Sequence, residues 1–377
     1  MKNIGIITHN LPYNLGNRQN AGIFVYDIAQ EIAVNNSVVI FCPAEGGRKS
    51  KLGKLSIINF PVISGNKLGN LKFYNPVDIF RFIIFFISGT FSLVRFITHK
   101  NITVNISMWA FPSGVFAYLA KIFFGIPYVT WCLGSDIYVF AKKPILKNII
   151  RLILRNSSFV FADGLDLSHK VEKLSGKKCI FIPSATNVKY RRKAFLKSKN
   201  IINLVYVGRL ELIKGPDILL RALTLIKKDI SRFIIHIIGD GSLLESLKKK
   251  AIDNNISNQI VFHGNIDFRE ISNIVNKADW LIIPSRSDSI PLVFSESMKC
   301  GTPIIASNLP DLKYLIDKYK VGILFKKNDS RGLANLITKL PKLNSDRVYF
   351  FKNTKIAAKD FNIEKSAHEV ISYIDNI

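Results

Sequence analysis

Short apolar runs alternate with amphipathic stretches along nearly the whole chain. Residues 3–8, 37–41, 103–107, 128–131, 158–162 and 179–182 read as buried strands. Between them, residues 22–33 and 113–124 carry apolar positions at helical spacing. Strands alternating with helices imply a mostly parallel sheet covered on both faces. Residues 189–200, with YRRKAFLKSK at their centre, are basic and lack an apolar period, so they read as a linker. The alternation then restarts, with strands predicted over 203–207, 233–238, 260–262, 280–283 and 303–306. Helices are predicted over 216–226, 243–251, 271–276 and 289–299, and no repeat of 20–50 residues is visible.

This pattern predicts an α/β protein of two Rossmann-like domains. Residues 1–188 form the first, 189–200 the linker and 201–355 the second. Residues 356–377 hold a last helix near 364–374, expected to pack back on the first domain. At 377 residues, two cores are the natural division. The opening MKNIGIITHNLP is too polar for a secretory signal and reads as a strand.

Charge changes the picture. Lys and Arg number 53 against 27 Asp and Glu, a net +26, and the first 195 residues hold 25 basic and 8 acidic, net +17. Such a half is drawn to anionic lipid, polyphosphate or nucleic acid, although a Lys- and Ile-rich proteome produces the same bias. The run FIIFFISGTFSLV (82–94), flanked by Arg81 and Arg95, is about two-thirds of a spanning length and suits a buried or interfacial helix. Cys42, Cys132, Cys179 and Cys300 are scattered and read as buried thiols in a reducing compartment.

Candidate chemistry gathers where strands end. In ADWLIIPSRSDSIPLVFSESMKCGTPIIA an apolar strand meets a polar loop with Ser285 and Asp288, then a helix expected to begin at Pro291. The amides of Leu292 and Val293 would offer N–H groups to a phosphate, and Glu296 follows within the helix. Read blandly, Asp288 serves the helix dipole and Glu296 is a surface residue. In VGRLELIKG, Arg209 and Lys214 lie on one loop after a strand, where open α/β folds bind ligands. Gly239 and Gly241 in IIGDGSLL, and His263 to Ile266 with Asn265 in VFHGNI, end two further strands. Gly22 closes a long polar loop before the first helix, and Gly134-Ser135-Asp136 ends TWCLGSDIY.

Taken in order, these segments resemble the retaining glycosyltransferases of family four (glycosyl transferases group 1), which have the GT-B fold. The resemblance covers nearly the whole chain and is most specific from GRLxxxKG through PSxxDxIPxVxxExMxxGTPII. It implies two domains with a cleft between them and a nucleotide-diphosphate sugar as donor substrate, with no cofactor and no metal. Arg209 and Lys214 are then implied to bind the diphosphate. Asp288 and Glu296 stand for the Glu-x7-Glu pair, Glu296 on the ribose. Gly22, Gly239, Gly241, Asn265, Ile266, Ser285, Leu292 and Val293 are expected to line the nucleotide, and Asp136 to act in transfer.

Three departures stand out. The first carboxylate is Asp288 rather than Glu, the family's frequent His-Gly-x-Asp reads Leu133-Gly134-Ser135-Asp136, and Pro-Asn-Gly-Val-Asp reads Pro183-Ser184-Ala185-Thr186-Asn187. The expected activity is sugar transfer to a glycan or lipid-linked acceptor in cell-surface polysaccharide or glycolipid synthesis. The protein would be cytoplasmic, peripheral on the inner face of an anionic membrane, and would bind no nucleic acid. Rival readings are a sugar-nucleotide epimerase and a non-catalytic polyanion-binding protein.

Overall fold

The computed structural model describes residues 2–12, 22–44, 51–53, 55–63, 75–99, 101–187 and 201–377, with residues 344–347 described in backbone only. The 189–200 segment read as a linker, Ala21 and most of the polar loop before Gly22 lie outside the described residues. The described residues divide into two compact units, one of those up to 183 together with 363–377, the other of those from 184 to 362.

The first unit contains β1 (Asn3–Ile7), α1 (Ile23–Ile32), β2 (Ser37–Ala44), β3 (Lys51–Leu52), β4 (Leu55–Pro61) and α2 (Pro76–Thr98). It continues through β5 (Val104–Met108), α3 (Ser113–Phe124), β6 (Tyr128–Cys132), α4 (Ser135–Tyr138), α5 (Pro144–Asn156), β7 (Val160–Ala162), α6 (Leu165–Ser175) and β8 (Cys179–Phe181). Among the described residues its sheet has the order β3-β4-β2-β1-β5-β6-β7-β8, parallel except at the short edge strand β3. The central strands β5 and β6 are buried throughout because helices cover both faces. Phe41, Phe60, Phe85, Phe96 and Phe116 interlock in one aromatic core. The C-terminal helix, Ile363–Ile374, lies against α1, its Tyr373 ring 5.1 Å from Phe159.

The apolar run at 82–94 is part of a longer helix than its own length suggests. Asn75 caps α2 through the Val77 N–H, Pro76 starts it, and it runs for 23 residues. By length and composition this helix is apolar enough to cross a membrane. Its inner face, Phe85, Gly89, Leu93, Phe96 and Ile97, packs into the first unit's core. A Cβ on Gly89 would lie 2.3 Å from the Phe116 ring, so only glycine admits α3 at this distance. All four cysteines are buried.

The second unit repeats the plan. It holds β9 (Ile202–Val207), α7 (Pro216–Leu225), β10 (Phe233–Ile238), α8 (Leu244–Asp253), β11 (Ile260–Gly264), α9 (Phe268–Lys277) and β12 (Trp280–Ile283). Then come α10 (Leu292–Cys300), β13 (Ile304–Ser307), α11 (Pro310–Tyr319), β14 (Gly322–Phe325), α12 (Ser330–Lys339) and α13 (Asn344–Asp360). Its parallel sheet has the order β11-β10-β9-β12-β13-β14, so the chain reverses direction between β9 and β12. Ligands of such sheets bind at the carboxyl ends of the strands flanking that reversal. In the first unit the reversal falls between β1 and β5.

Candidate functional site

At the second unit's reversal, the loop after β9 meets the loop after β12. Leu212–Lys214 makes one turn of 3-10 helix, and Gly215, at φ +70, turns the chain into α7. A Cβ on Gly215 would stand 2.0 Å from the Pro284 carbonyl oxygen, so the two loops touch backbone to backbone. That contact brings Lys214 to Asp288. The ammonium donates to both carboxylate oxygens, at 2.9 and 2.7 Å, and the Ser285 hydroxyl donates to Oδ2 at 3.1 Å.

A second ionic clamp lies behind the first. Arg286 donates through its guanidinium to both oxygens of Asp217, each at 2.7 Å, and to the Leu212 carbonyl at 2.5 Å. Its backbone N–H donates to the Ile213 carbonyl at 2.8 Å. Burial would raise the Asp217 pKa, but the Arg286 hydrogen bonds and charge outweigh it and hold the carboxyl below its ordinary range. Arg286 therefore fixes the turn that carries Lys214.

Helix α10 begins at Leu292, one residue after the Pro291 start and three after the 289–299 reading. Pro291 is its N-cap, in extended conformation at ψ 139. Phe294 N–H already returns to the Pro291 carbonyl at 2.8 Å. Leu292 and Val293 head the helix, where N–H groups have no intrahelical acceptor, and the first turn carries no acidic residue. Glu296 follows on the same helix, partly exposed. Farther along, Lys299 is buried and donates to the Thr186 carbonyl at 2.5 Å, fastening the 184–187 stretch to α10.

Arg209 is exposed at the end of β9, its carbonyl accepting from the buried Tyr206 hydroxyl at 2.9 Å. Burial raises the pKa of that hydroxyl, the Asp288 charge adds to the effect and Arg209 opposes it. Tyr206 thus lies within electrostatic reach of both charges. Gly239, at φ +133, presses on the Gly208 carbonyl, where a Cβ would stand at 2.0 Å, and its N–H donates to the Gly264 carbonyl. Gly241 packs against Leu210 in the same way. Asn265, exposed, and Ile266 follow the end of β11, two strands from β9. His263, next to them, shares a 3.0 Å hydrogen bond with His236, and burial lowers the pKa of both rings.

Gly22 and Asp136 belong to the first unit. Gly22 heads α1, and a Cβ there would stand 2.7 Å from the Asn10 carbonyl. Asp136 is wholly buried and accepts from the Ala110 N–H at 2.9 Å. Burial pushes its pKa up to about 6 against that hydrogen bond, and the Cys132 thiol beside it is raised as well. Asp136 thus braces the turn after β5.

Beside that turn lie residues the motifs did not single out. His9, just past β1, meets Trp109 edge to face at 4.6 Å and shares a 3.1 Å hydrogen bond between Nδ1 and the Ser113 hydroxyl. Burial lowers the imidazole to about 4, so it is neutral at pH 7. Trp109 has the left-handed φ of +69 and donates its N–H to the Trp131 carbonyl at 2.9 Å. The only signal for His9 in the sequence was its place directly after the first strand. Nothing signalled Arg286, whose partner lies 69 residues earlier.

Two doubly wound parallel units, each with charged or polar side chains gathered at its reversal, define an α/β protein of the class that binds ligands at the carboxyl ends of its strands. Residues 188–357 match the family described as glycosyl transferases group 1. An uncharacterized glycosyltransferase of Methanocaldococcus jannaschii is 27% identical over 313 residues, 82% of this chain and 86% of its own length. Sucrose-phosphate synthase from Thermosynechococcus elongatus superposes with a TM-score of 0.76 at 19% identity, covering 100% of this chain and 99% of its own. Anabaena HepE in complex with UDP-glucose does so with a TM-score of 0.77 at 16% identity, covering all of both chains. At those identities the two superpositions speak for the fold alone. The chain has the GT-B fold, and its second half matches glycosyl transferases group 1.

Proposed function

We propose that the second unit binds a nucleotide-diphosphate sugar at its reversal and that the enzyme transfers the sugar with retention of configuration. The observation that carries this reading is the meeting of Lys214 with Asp288 beside the start of α10. Two touching loops there offer a cation and a carboxylate side by side, with free helical amides a few residues on. A diphosphate suits the cations and amides, and sugar hydroxyls suit the carboxylates. HepE was crystallised with UDP-glucose, which supports a donor of this class.

As the bond from the anomeric carbon to the phosphate oxygen breaks, its electron pair leaves with the diphosphate. Arg209, Lys214 and the Leu292 and Val293 amides stabilise that growing charge. The acceptor oxygen bonds to the same face of the anomeric carbon, and its proton passes to the departing phosphate oxygen. Two fixed cations supply the charge compensation, so the proposed reaction needs neither metal nor cofactor. Glu296 takes the ribose hydroxyls and Asp288 the transferred sugar, while Gly239, Gly241, Asn265 and Ile266 border the base.

The acceptor, a glycan or lipid-linked sugar of cell-surface polysaccharide or glycolipid synthesis, is assigned to the first unit. His9, neutral and anchored by Ser113, stands at that unit's reversal and takes over the hydrogen bonding that Leu133 lacks. Gly22 lets its loop approach closely, and Asp136 acts through the 109–112 turn. The enzyme is proposed to work in the cytoplasm, against the inner membrane face. The test is thermal unfolding with a panel of nucleotide-diphosphate sugars, with and without EDTA. One donor at 100 times its dissociation constant should stabilise the wild type by about 2.7 kcal/mol and leave Lys214→Ala unmoved. A panel without effect on the wild type refutes the assignment, and a shift lost in EDTA refutes metal independence.

A further inference from the structure

Helix α2 is apolar on its outer side as well as its inner one. Phe80, Ile83, Ile87, Phe91 and Val94 recur every three to four residues and are all exposed, Phe91 to 81%. From residue 80 to 94 this stripe runs for about 21 Å along the helix. An amphipathic surface helix would carry polar side chains there.

The stripe has a neighbour. Phe82 and Phe86 approach Phe111, and Phe85, Phe86 and Gly89 meet Phe116 five residues later. The contacts advance in the same sense along both helices, so α2 and α3 run parallel and their ends fall together. The end of α3 adds Ile122, Phe123 and Phe124, all exposed, Phe123 to 64%. Helix α5, packed against α3, adds Ile145 at 76% exposure and Leu152.

The charges on these helices are one-signed. Asp78 is the only carboxylate on α2, α3 or α5, and it is buried against Arg81. Arg95, Lys147 and Arg155 are exposed, with Lys142 and Lys143 just ahead of α5. A second copy of the chain would set the same cations against this face. An anionic bilayer offers both partners at once, acyl chains for the stripe and headgroups for the cations.

We infer that α2, the end of α3 and α5 form a membrane-docking face, with the stripe from Phe80 to Val94 lying in the interface of an anionic bilayer. Only its purpose, bringing the enzyme to a membrane-borne acceptor, rests on the proposed transfer reaction. The stripe and its cationic border stand without it.

The test is flotation of the full chain with vesicles of equal phosphatidylglycerol and phosphatidylcholine, compared with phosphatidylcholine alone and with high salt. The wild type should float with the anionic vesicles at low salt. Flotation should fall about ten-fold in an Ile87→Ser/Phe91→Ser variant, and again in Lys147→Glu/Arg155→Glu. Both variants should keep the wild-type unfolding temperature and any donor-induced shift. Absence of flotation by the wild type overturns the inference, as does equal flotation by the Ile87→Ser/Phe91→Ser variant. A wild-type dimer in sedimentation that this variant dissolves would assign the face to self-association instead. Flotation needs neither donor nor acceptor, so a failed transfer reaction leaves this result standing, and the reverse holds.

Discussion

Lys214 and Asp288, 74 residues apart in sequence, are joined by two hydrogen bonds of 2.9 and 2.7 Å. Lys214 ends the turn after β9 and Asp288 lies in the loop after β12, the two strands between which the sheet reverses. The pair is partly exposed, so its own contribution to stability is small. Its placement matters more, because a bound diphosphate would compete for the same ammonium.

Lys214→Ala should therefore separate activity from folding. Losing one preorganised cation from a site of developing charge costs about 10²–10³ in turnover. Initial-rate transfer assays and thermal unfolding on the same preparation check this. A variant with wild-type turnover would remove Lys214 from the chemistry.

Arg286→Ala should act at one remove. It frees Asp217 and the Leu212 carbonyl, for a loss of about 2 kcal/mol of stability. The apparent donor KM should rise while the residual kcat stays closer to wild type. Arg286→Lys should rescue only part, since an ammonium cannot span both Asp217 oxygens. The pH dependence follows from the depressed Asp217 pKa. Its stabilisation is present above the unfolded carboxyl value near 4 and fades as pH falls through the lower folded value. Acid titration of unfolding should show that loss in the wild type and not in Arg286→Ala.

Asp136→Asn should change stability with the opposite sign. Burial raises this carboxyl to about 6, so the folded chain holds its proton more tightly than the unfolded one. The contribution is full below pH about 4 and is lost as pH rises through about 6, a fall of about 3 kcal/mol. Asparagine keeps an acceptor for the Ala110 N–H without the charge. Urea unfolding at pH 4.5 and 7.5 compares the two proteins, and an equal fall in both would exclude Asp136 as the source.

Gly215→Ala should damage the site through the backbone. A side chain at φ +70 with its Cβ 2.0 Å from the Pro284 carbonyl must push the two loops apart. The expected loss is about 2–3 kcal/mol of stability. Lys214 would withdraw from Asp288, and a donor-induced thermal shift should shrink with it. An unchanged shift would mean that the loops need not touch.

Much of the second unit was legible from sequence because its signals are local. Strand, polar loop, helix and glycine stop follow one another from Trp280 to Gly301, and each rests on neighbours a few positions away. The 289–299 reading starts α10 three residues early and the Pro291 reading one, because proline suits both the N-cap and the first helical position. Helix α2 is longer than the 82–94 run because its ends lie outside that run, at the Asn75 cap and at Thr98, and Arg81 and Arg95 interrupt the apolar sequence on either side.

The order of apolar and polar residues alone determined two α/β units, the basic first half and the loops that carry Arg209, Lys214 and Asp288. Tertiary structure decided which of those groups touch. Strand order set β9 beside β12, Gly215 let their loops meet, and Arg286 locked them at a distance of 69 residues from Asp217. It also placed His9 against Trp109 and turned one face of α2 outward. Periodicity records which side of an element is apolar, but the packing of other elements decides which sides are covered and which charges become neighbours.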